Sequence, residues 1–158
     1  MNPATQADPG AQASFQVEKL YVKDLSLEVP NAPQVFTQPA QPELEIQMRN
    51  EASPFTDGLY EVVVTVTVTA RAGEKTLFLA EVAQAGIFTI RGLPADDLDP
   101  LLGIGCPTIL YPYAREAISD LVTRAGFPPV VLAPVSFEQV YLQRRQQQAA
   151  QPQVEVAR

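Results

Sequence analysis

The sequence predicts an α+β domain in which antiparallel strands come first and two C-terminal helices follow. Three observations carry that expectation. A β-branched run over residues 60–71 and a second long apolar stretch over 75–91 are separated only by Ala72-Gly73-Glu74, the pattern of a hairpin. No proline occurs from Phe55 to Leu93, in a chain that has 15 of them. Beyond Pro107 the apolar residues change from a spacing of two to pairs that recur every four positions.

Taken in order, residues 1–13 carry Pro, Ala, Gln and Gly without a large apolar side chain, which reads as a disordered N-terminal tail. Residues 15–27 read as the first strand. Phe15 and Val17 fall on one face, and a phase change then puts Leu20 and Val22 on the other, which suggests a bulge or a strand with both faces partly covered. Pro30, Pro33, Pro39 and Pro42 make residues 29–41 an extended, non-helical connection. Over residues 43–49 the alternation is clean: Leu44, Ile46 and Met48 point one way, and Glu43, Glu45, Gln47 and Arg49 the other. The hairpin strands follow. In the return strand, period 2 sets Phe78, Ala80, Val82, Gln84 and Phe88 on one face and Leu79, Glu81, Ala83 and Ile87 on the other, so both faces carry apolar residues. A monomer with one helical layer would leave the second face half exposed.

Residues 94–100 read as a proline-flanked acidic loop. The pairs Ile109/Leu110, Tyr113/Ala114, Ala117/Ile118 and Leu121/Val122 then predict an amphipathic helix that begins at or just before Pro112 and ends at Gly126. Ser136 and Gln139 form a capping box for a second helix bearing Phe137, Val140, Tyr141 and Leu142. The division into domains is therefore a tail at 1–13, a single domain at 14–145 and a flexible Gln/Ala-rich tail at 146–158.

Length and composition restrict the function. A chain of 158 residues fits one domain. Its 18 acidic and 11 basic residues give a net charge of −7, which makes nucleic acid a poor partner. The charge is uneven: residues 1–110 carry a net −8 and residues 111–158 a net +1. Such a field steers basic partners, or simply keeps the chain soluble. Histidine is absent and Cys106 is the only cysteine, so a Ser-His-Asp triad, a Cys-His dyad, a His-rich zinc site and an intrachain disulfide are all excluded. These exclusions favour a reducing compartment and binding rather than bond-making. A basic start followed by an apolar stretch is missing, as is any run of about 18 apolar residues, so a cytoplasmic protein without membrane insertion is expected.

Individual motifs add little chemistry. Gly103-Ile104-Gly105 would need glycine at position 108, which is Thr108, to continue a dinucleotide fingerprint. Cys106 has no partner base. Asp96, Asp97 and Asp99 lack the glycine and distal glutamate of a calcium loop. No catalytic residue, metal site or cofactor is assigned. The Leu44, Ile46 and Met48 face is either core or a binding surface, and the long connection carrying Val35 and Phe36 favours a groove beside it. Met48, Phe36 and Tyr141 suit a surface that adapts to many apolar sequences.

Several segments together resemble the SecB family of bacterial protein-export chaperones. They are Asp-Leu-Ser-Leu-Glu-Val-Pro-Asn-Ala-Pro-Gln-Val-Phe from Asp24 to Phe36, Gly86-Ile87-Phe88, Cys106-Pro-Thr-Ile-Leu-Tyr-Pro-Tyr-Ala-Arg115-Glu116, and Leu132-Ala-Pro-Val-Ser-Phe137. The resemblance implies a four-stranded antiparallel sheet with two helices on one face, assembled as a homotetrameric dimer of dimers. It further implies an ATP-independent holdase that binds unfolded precursors in the cytosol and delivers them to the translocase motor SecA, which presents a basic, zinc-bearing C-terminal tail. By position it puts Phe78, Ala80, Val82 and Gln84 at the tetramer interface. It puts Asp24, Glu28, Leu79 and Glu81 at the SecA-docking surface, and Leu44, Ile46 and Met48 in a client groove walled by Phe36, Tyr141 and Leu142. The family's tryptophan is replaced here by Ala40, and its acidic tail by one with Arg144, Arg145 and Arg158. The alternatives are a sheet domain holding one small apolar ligand, a small enzyme using Cys106 or the Asp96/Asp97/Asp99 segment, and a structural oligomeric adaptor.

Overall fold

A computed structural model describes residues 12–150. Four antiparallel strands, β1 (Ser14–Glu28), β2 (Glu43–Thr56), β3 (Leu59–Ala72) and β4 (Lys75–Arg91), form one sheet in the order β1-β4-β3-β2. Three helices follow: α1 (Ala95–Pro100), α2 (Cys106–Arg124) and α3 (Phe137–Ala150). The α+β architecture matches the expectation. The boundary expected at Gln146 falls inside α3, and the expectations for residues 1–11 and 151–158 lie outside the described residues.

The β3–β4 hairpin is the centre of the molecule. Gly73, at φ 61°, supplies the left-handed conformation that its two-residue turn requires. On β3, Val62, Val64, Val66 and Val68 are at most 1% exposed and share a face with Phe78, Ala80, Val82 and Phe88 of β4. Helix α2 covers this face with Leu110, Ala114, Ile118, Leu121 and Val122. Gly86 lets it approach, since a Cβ there would lie 3.0 Å from Leu110 and 2.8 Å from Phe88.

Three expectations change. The bulges in β1 fall between Val17 and Lys19 and between Val22 and Asp24. They cancel the phase slip, so Phe15, Val17, Leu20, Val22, Leu25 and Leu27 all pair with even-numbered β4 residues and share the helix-covered face. Leu20 and Val22 do not turn to the other side. Within residues 94–100, Ala95–Pro100 are helical rather than a loop, with Pro94 as the extended N-cap; Asp96 and Asp97 in the first turn complement the helix dipole. A π-helical turn, Leu101–Gly105, joins α1 to α2, which starts at Cys106 and keeps Pro112 inside it. An internal proline costs about 3 kcal/mol. The helix tolerates it because Cys106, Pro107, Leu110 and Tyr111 on one side of Pro112 and Ala114 and Ile118 on the other are buried against the sheet.

The helix ends where expected. Gly126 (φ 95°) donates to the Thr123 carbonyl at 3.0 Å and Phe127 to that of Val122 at 3.2 Å, the paired bonds of a Schellman cap. The link that follows buries Val130 and Leu132, and the Tyr111 hydroxyl donates to the Ala133 carbonyl. Gln139 N–H reaches Ser136 Oγ at 3.4 Å, the capping contact expected for α3. The connection between β1 and β2 is not extended over most of its length: residues 30–37 form successive turns, including the 3-10 turn Gln34–Phe36, closed by bonds such as Val35 N–H to the Asn31 carbonyl at 2.9 Å, and only residues 39–42 run without a turn.

Candidate functional site

The two faces of the sheet have different chemistry. On the helix-covered face, α2 lies over β3 and β4 and leaves β2 at the edge uncovered. Leu44, Ile46 and Met48 pair with Ala70, Val68 and Val66, so they continue the core face beyond the helix. Leu44 is 45% exposed and Ile46 50%, while Met48 is partly buried against the core. Apolar side chains thus line the rim of the sheet with half of their surface open to solvent.

Two structures stand at the ends of this strip. At the Leu44 end, Phe36 packs at a tilt against Phe127 with ring centroids 5.2 Å apart, and Phe127 likewise against Phe78 at 4.9 Å. Leu44, Ala70 and Phe78 form one row across the sheet, so the aromatic chain hangs over the row that Leu44 begins. Beside it, Val35, Pro39, Ala40, Ala72 and Leu77 line a cleft of about 460 Å³. At the other end, Tyr141 of α3 seats against Gly103, where a Cβ would meet its ring at 2.7 Å, and donates to Asp99 at 2.6 Å. That acceptor bond favours the neutral phenol and holds the Tyr141 pKa above its ordinary value. With Asn50, Ala52, Arg144 and Arg145, Tyr141 lines a second cleft of about 390 Å³. Leu142 is 51% exposed on the same helix.

The predicted groove residues therefore do not converge on one spot. Leu44 and Asn50 are six residues apart along β2, about 20 Å at the usual strand rise. Phe36 stands near one end of that length and Tyr141 near the other. The arrangement is a half-exposed apolar strip along β2 with a separate cleft at either end.

On the helix-free face the four predicted docking residues come together. Glu28 pairs with Leu79, Ser26 with Glu81 and Asp24 with Ala83, so Asp24, Glu28, Leu79 and Glu81 lie on adjoining strands β1 and β4. Thr67 of β3 donates to Glu81 at 2.8 Å. Farther along this face, Glu61 accepts from Lys23 at 2.6 Å and from the Tyr21 hydroxyl. Those bonds hold the Glu61 carboxyl below its usual range, whereas burial, and then the bond to Glu61, push the Tyr21 phenol up to about 12. This second cluster is neutralised by its lysine, leaving Asp24, Glu28 and Glu81 as the carboxylates at the other end.

The remaining predicted residues lie inside the chain. Phe78, Ala80, Val82 and Gln84 are 4% exposed or less, packed with β3 under α2. The opposite β4 face is also less open than expected: Ala83 and Ala85 are buried with Val63 beneath a partly buried Tyr21, while Leu79, Glu81, Ile87 and Thr89 are partly exposed. Cys106 is buried and its thiol is pushed up to about 12 by desolvation, the opposite of an activated nucleophile. Among the described residues, no group of three or more acidic or cysteine side chains is placed to hold a metal ion, and no helix is long and apolar enough to cross a membrane. Reading the sequence missed Thr67, Asn50 and Gly103. The signal for Gly103 was the glycine pair with Gly105, dismissed as a failed nucleotide motif when it marks a close helix contact.

Comparison with known proteins identifies the family and the fold. Residues 8–148 match the family model of the preprotein translocase subunit SecB. The protein-export protein SecB of Chromobacterium violaceum is 62% identical over 138 residues, 87% of this chain and 92% of that protein. Its counterpart in Dechloromonas aromatica is 59% identical, covering 89% and 93%, and that of Neisseria meningitidis serogroup B is 55% identical, covering 88% and 95%. A SecB-like chaperone of Mycobacterium tuberculosis, solved in complex with a peptide from an antitoxin, shares the fold at a TM-score of 0.59 and 23% identity over 77% of this chain and 91% of that one. The chain belongs to the SecB family of protein-export proteins.

Proposed function

We propose that this protein is an ATP-independent chaperone of protein export: it holds unfolded precursors in the cytoplasm in a translocation-competent state and passes them to SecA. Membership of the SecB family supports the export role. The observation that carries the holding mechanism is the half-exposed strip of Leu44 and Ile46 on an uncovered edge strand, continuous with the core and flanked by Phe36 and Tyr141. An unfolded client offers extended backbone with scattered apolar side chains. Burying three or four of them gains roughly 1.5–3 kcal/mol each, against about 2–5 kcal/mol for ordering the segment. One groove binds modestly, and tight holding comes from several grooves acting on one long chain.

Several copies are therefore part of the proposal, as a dimer of dimers. Phe78, Ala80, Val82 and Gln84 lie beneath α2, so their influence on assembly would be exerted through the position of that helix. SecA docks on Asp24, Glu28, Leu79 and Glu81, where carboxylates flank an apolar side chain and attract a basic, zinc-bearing tail. Groove and docking surface occupy opposite faces of the sheet, so a client need not leave before the motor arrives.

The test combines light scattering of an aggregating unfolded protein, with and without this chain, and the mass of the chain in solution. Suppressed aggregation without nucleotide, at the mass of four chains, is expected. Undiminished aggregation, or equal affinity for native and unfolded proteins, overturns the holdase reading.

A further inference from the structure

Strand β3 alternates two residue types of nearly the same shape. Valines at 62, 64, 66 and 68 face the helix, and Thr65, Thr67 and Thr69 face the other way. Valine would fill the sheet equally well, so the hydroxyl is the chemical difference. At Thr67 that hydroxyl has a defined task. The register sets Thr67 directly opposite Glu81, and Thr67 Oγ1 donates to Glu81 Oε2 at 2.8 Å. Both residues are partly buried, so the carboxylate lies along the sheet with one oxygen held from β3. On its other flank Glu81 pairs with Ser26, between the exposed Asp24 and Glu28 of β1.

We infer that Thr67 is a positioning residue for the docking surface: its hydroxyl fixes the Glu81 carboxylate in the orientation in which a basic partner segment meets it. The inference rests on the docking role proposed above for Glu81. A free glutamate turns about three side-chain bonds, and a partner binding it must bear the cost of ordering them. A carboxylate already held by a neighbouring strand has lost that freedom before the encounter, so less affinity is given up on binding. The side chain of Thr67 does not itself contact the partner.

The experiment measures binding of the zinc-loaded basic tail peptide of SecA to the full-length chain by calorimetry at low salt, with client holding followed by light scattering. Thr67→Val is expected to weaken peptide binding about two- to tenfold, the freedom of one immobilised side chain, while client holding and melting temperature stay as in the parent. Thr67→Ser, which keeps the donor, is expected to restore binding to within about twofold of the parent. In a Glu81→Gln background, Thr67→Val is expected to add little further loss, because the two act as a unit. Parent-like binding by Thr67→Val, equal losses in the valine and serine variants, or full additivity with Glu81→Gln overturns the inference. If Glu81→Gln alone still weakens binding in those cases, the docking surface stands; if Glu81→Gln binds like the parent, the docking reading itself fails.

Discussion

Replacing Leu44 and Ile46 together by threonine is expected to weaken capture of one unfolded segment about tenfold or more while leaving the sheet folded. The magnitude follows from what each side chain still offers. Leu44 is 45% and Ile46 50% exposed, so about half of the 1.5–3 kcal/mol gained by fully burying such a residue remains available to a client. That is about 0.8–1.5 kcal/mol each and about 1.5–3 kcal/mol for the pair, or roughly ten- to hundredfold in affinity. Threonine keeps one methyl group, which favours the lower end. It also keeps strand preference, and at half-exposed edge positions the cost to folding is about 1 kcal/mol. The assay is a fluorescence-anisotropy titration of a labelled unfolded peptide short enough to occupy one groove, so that multi-site binding does not mask the loss. Gln47→Thr, on the same strand but the helix-free face, is the control. Undiminished binding by the double variant at an unchanged melting temperature, or an equal loss in the control, would refute client binding at the β2 strip.

Charge reversal by Asp24→Lys and Glu81→Lys should abolish binding of the basic SecA tail and leave client holding intact, and in the parent that binding should fall as salt is raised; simultaneous loss of both activities would remove the division of faces. The Tyr21–Glu61 pair makes stability pH-dependent at both extremes. Glu61 has a lowered pKa, so its contribution is present above the ordinary value of 4.5 and fades as pH falls below it; Tyr21 is raised from 10.0 to about 12, so its contribution is full below pH 10 and is lost as pH climbs toward 12. Denaturant midpoints measured against pH should flatten in the acid limb for Glu61→Gln and in the alkaline limb for Tyr21→Phe. Cys106, buried with its thiol pushed up to about 12, should resist iodoacetamide at pH 8 in the folded protein and react quickly in urea, as read by mass spectrometry. Leu110→Ala, at a fully buried position between α2 and the sheet, should cost about 2–5 kcal/mol and lower the melting temperature accordingly.

The strands were legible because period-2 patterning and the faces of a sheet are the same fact. The alternation of Phe78, Ala80, Val82 and Gln84 against Leu79 and Glu81 assigned those sets to opposite faces, and the register agrees. Where two effects competed locally, sequence reasoning chose the wrong one. Pro112 outweighed the apolar pairs before it, although burial of Cys106 and Leu110 against the sheet overcomes one missing hydrogen bond. Pro94, followed by Asp96 and Asp97, looked like loop composition and is equally the beginning of a helix. In β1 the phase slip was visible, but not that two bulges would bring Leu20 and Val22 back to the side of Phe15, Val17, Leu25 and Leu27. The common face of Asp24, Glu28, Leu79 and Glu81 follows from alternation and register alone, because the four share two neighbouring strands. The groove draws on a crossover, an edge strand and a distant helix, whose separation along the strip only tertiary packing decides.

The strand order also sets when each part of the sheet can form. The β3–β4 hairpin closes across two residues, whereas Ser14 of β1 waits for Arg91 at the far end of β4. Closing the larger loop costs more chain entropy, so the hairpin is the natural template and β1 is added to it late. On a ribosome the first strand leaves the exit tunnel long before its partner has been synthesised. During that interval this export chaperone is itself a nascent chain with an unpaired apolar strand, in the same condition as the clients it is proposed to hold.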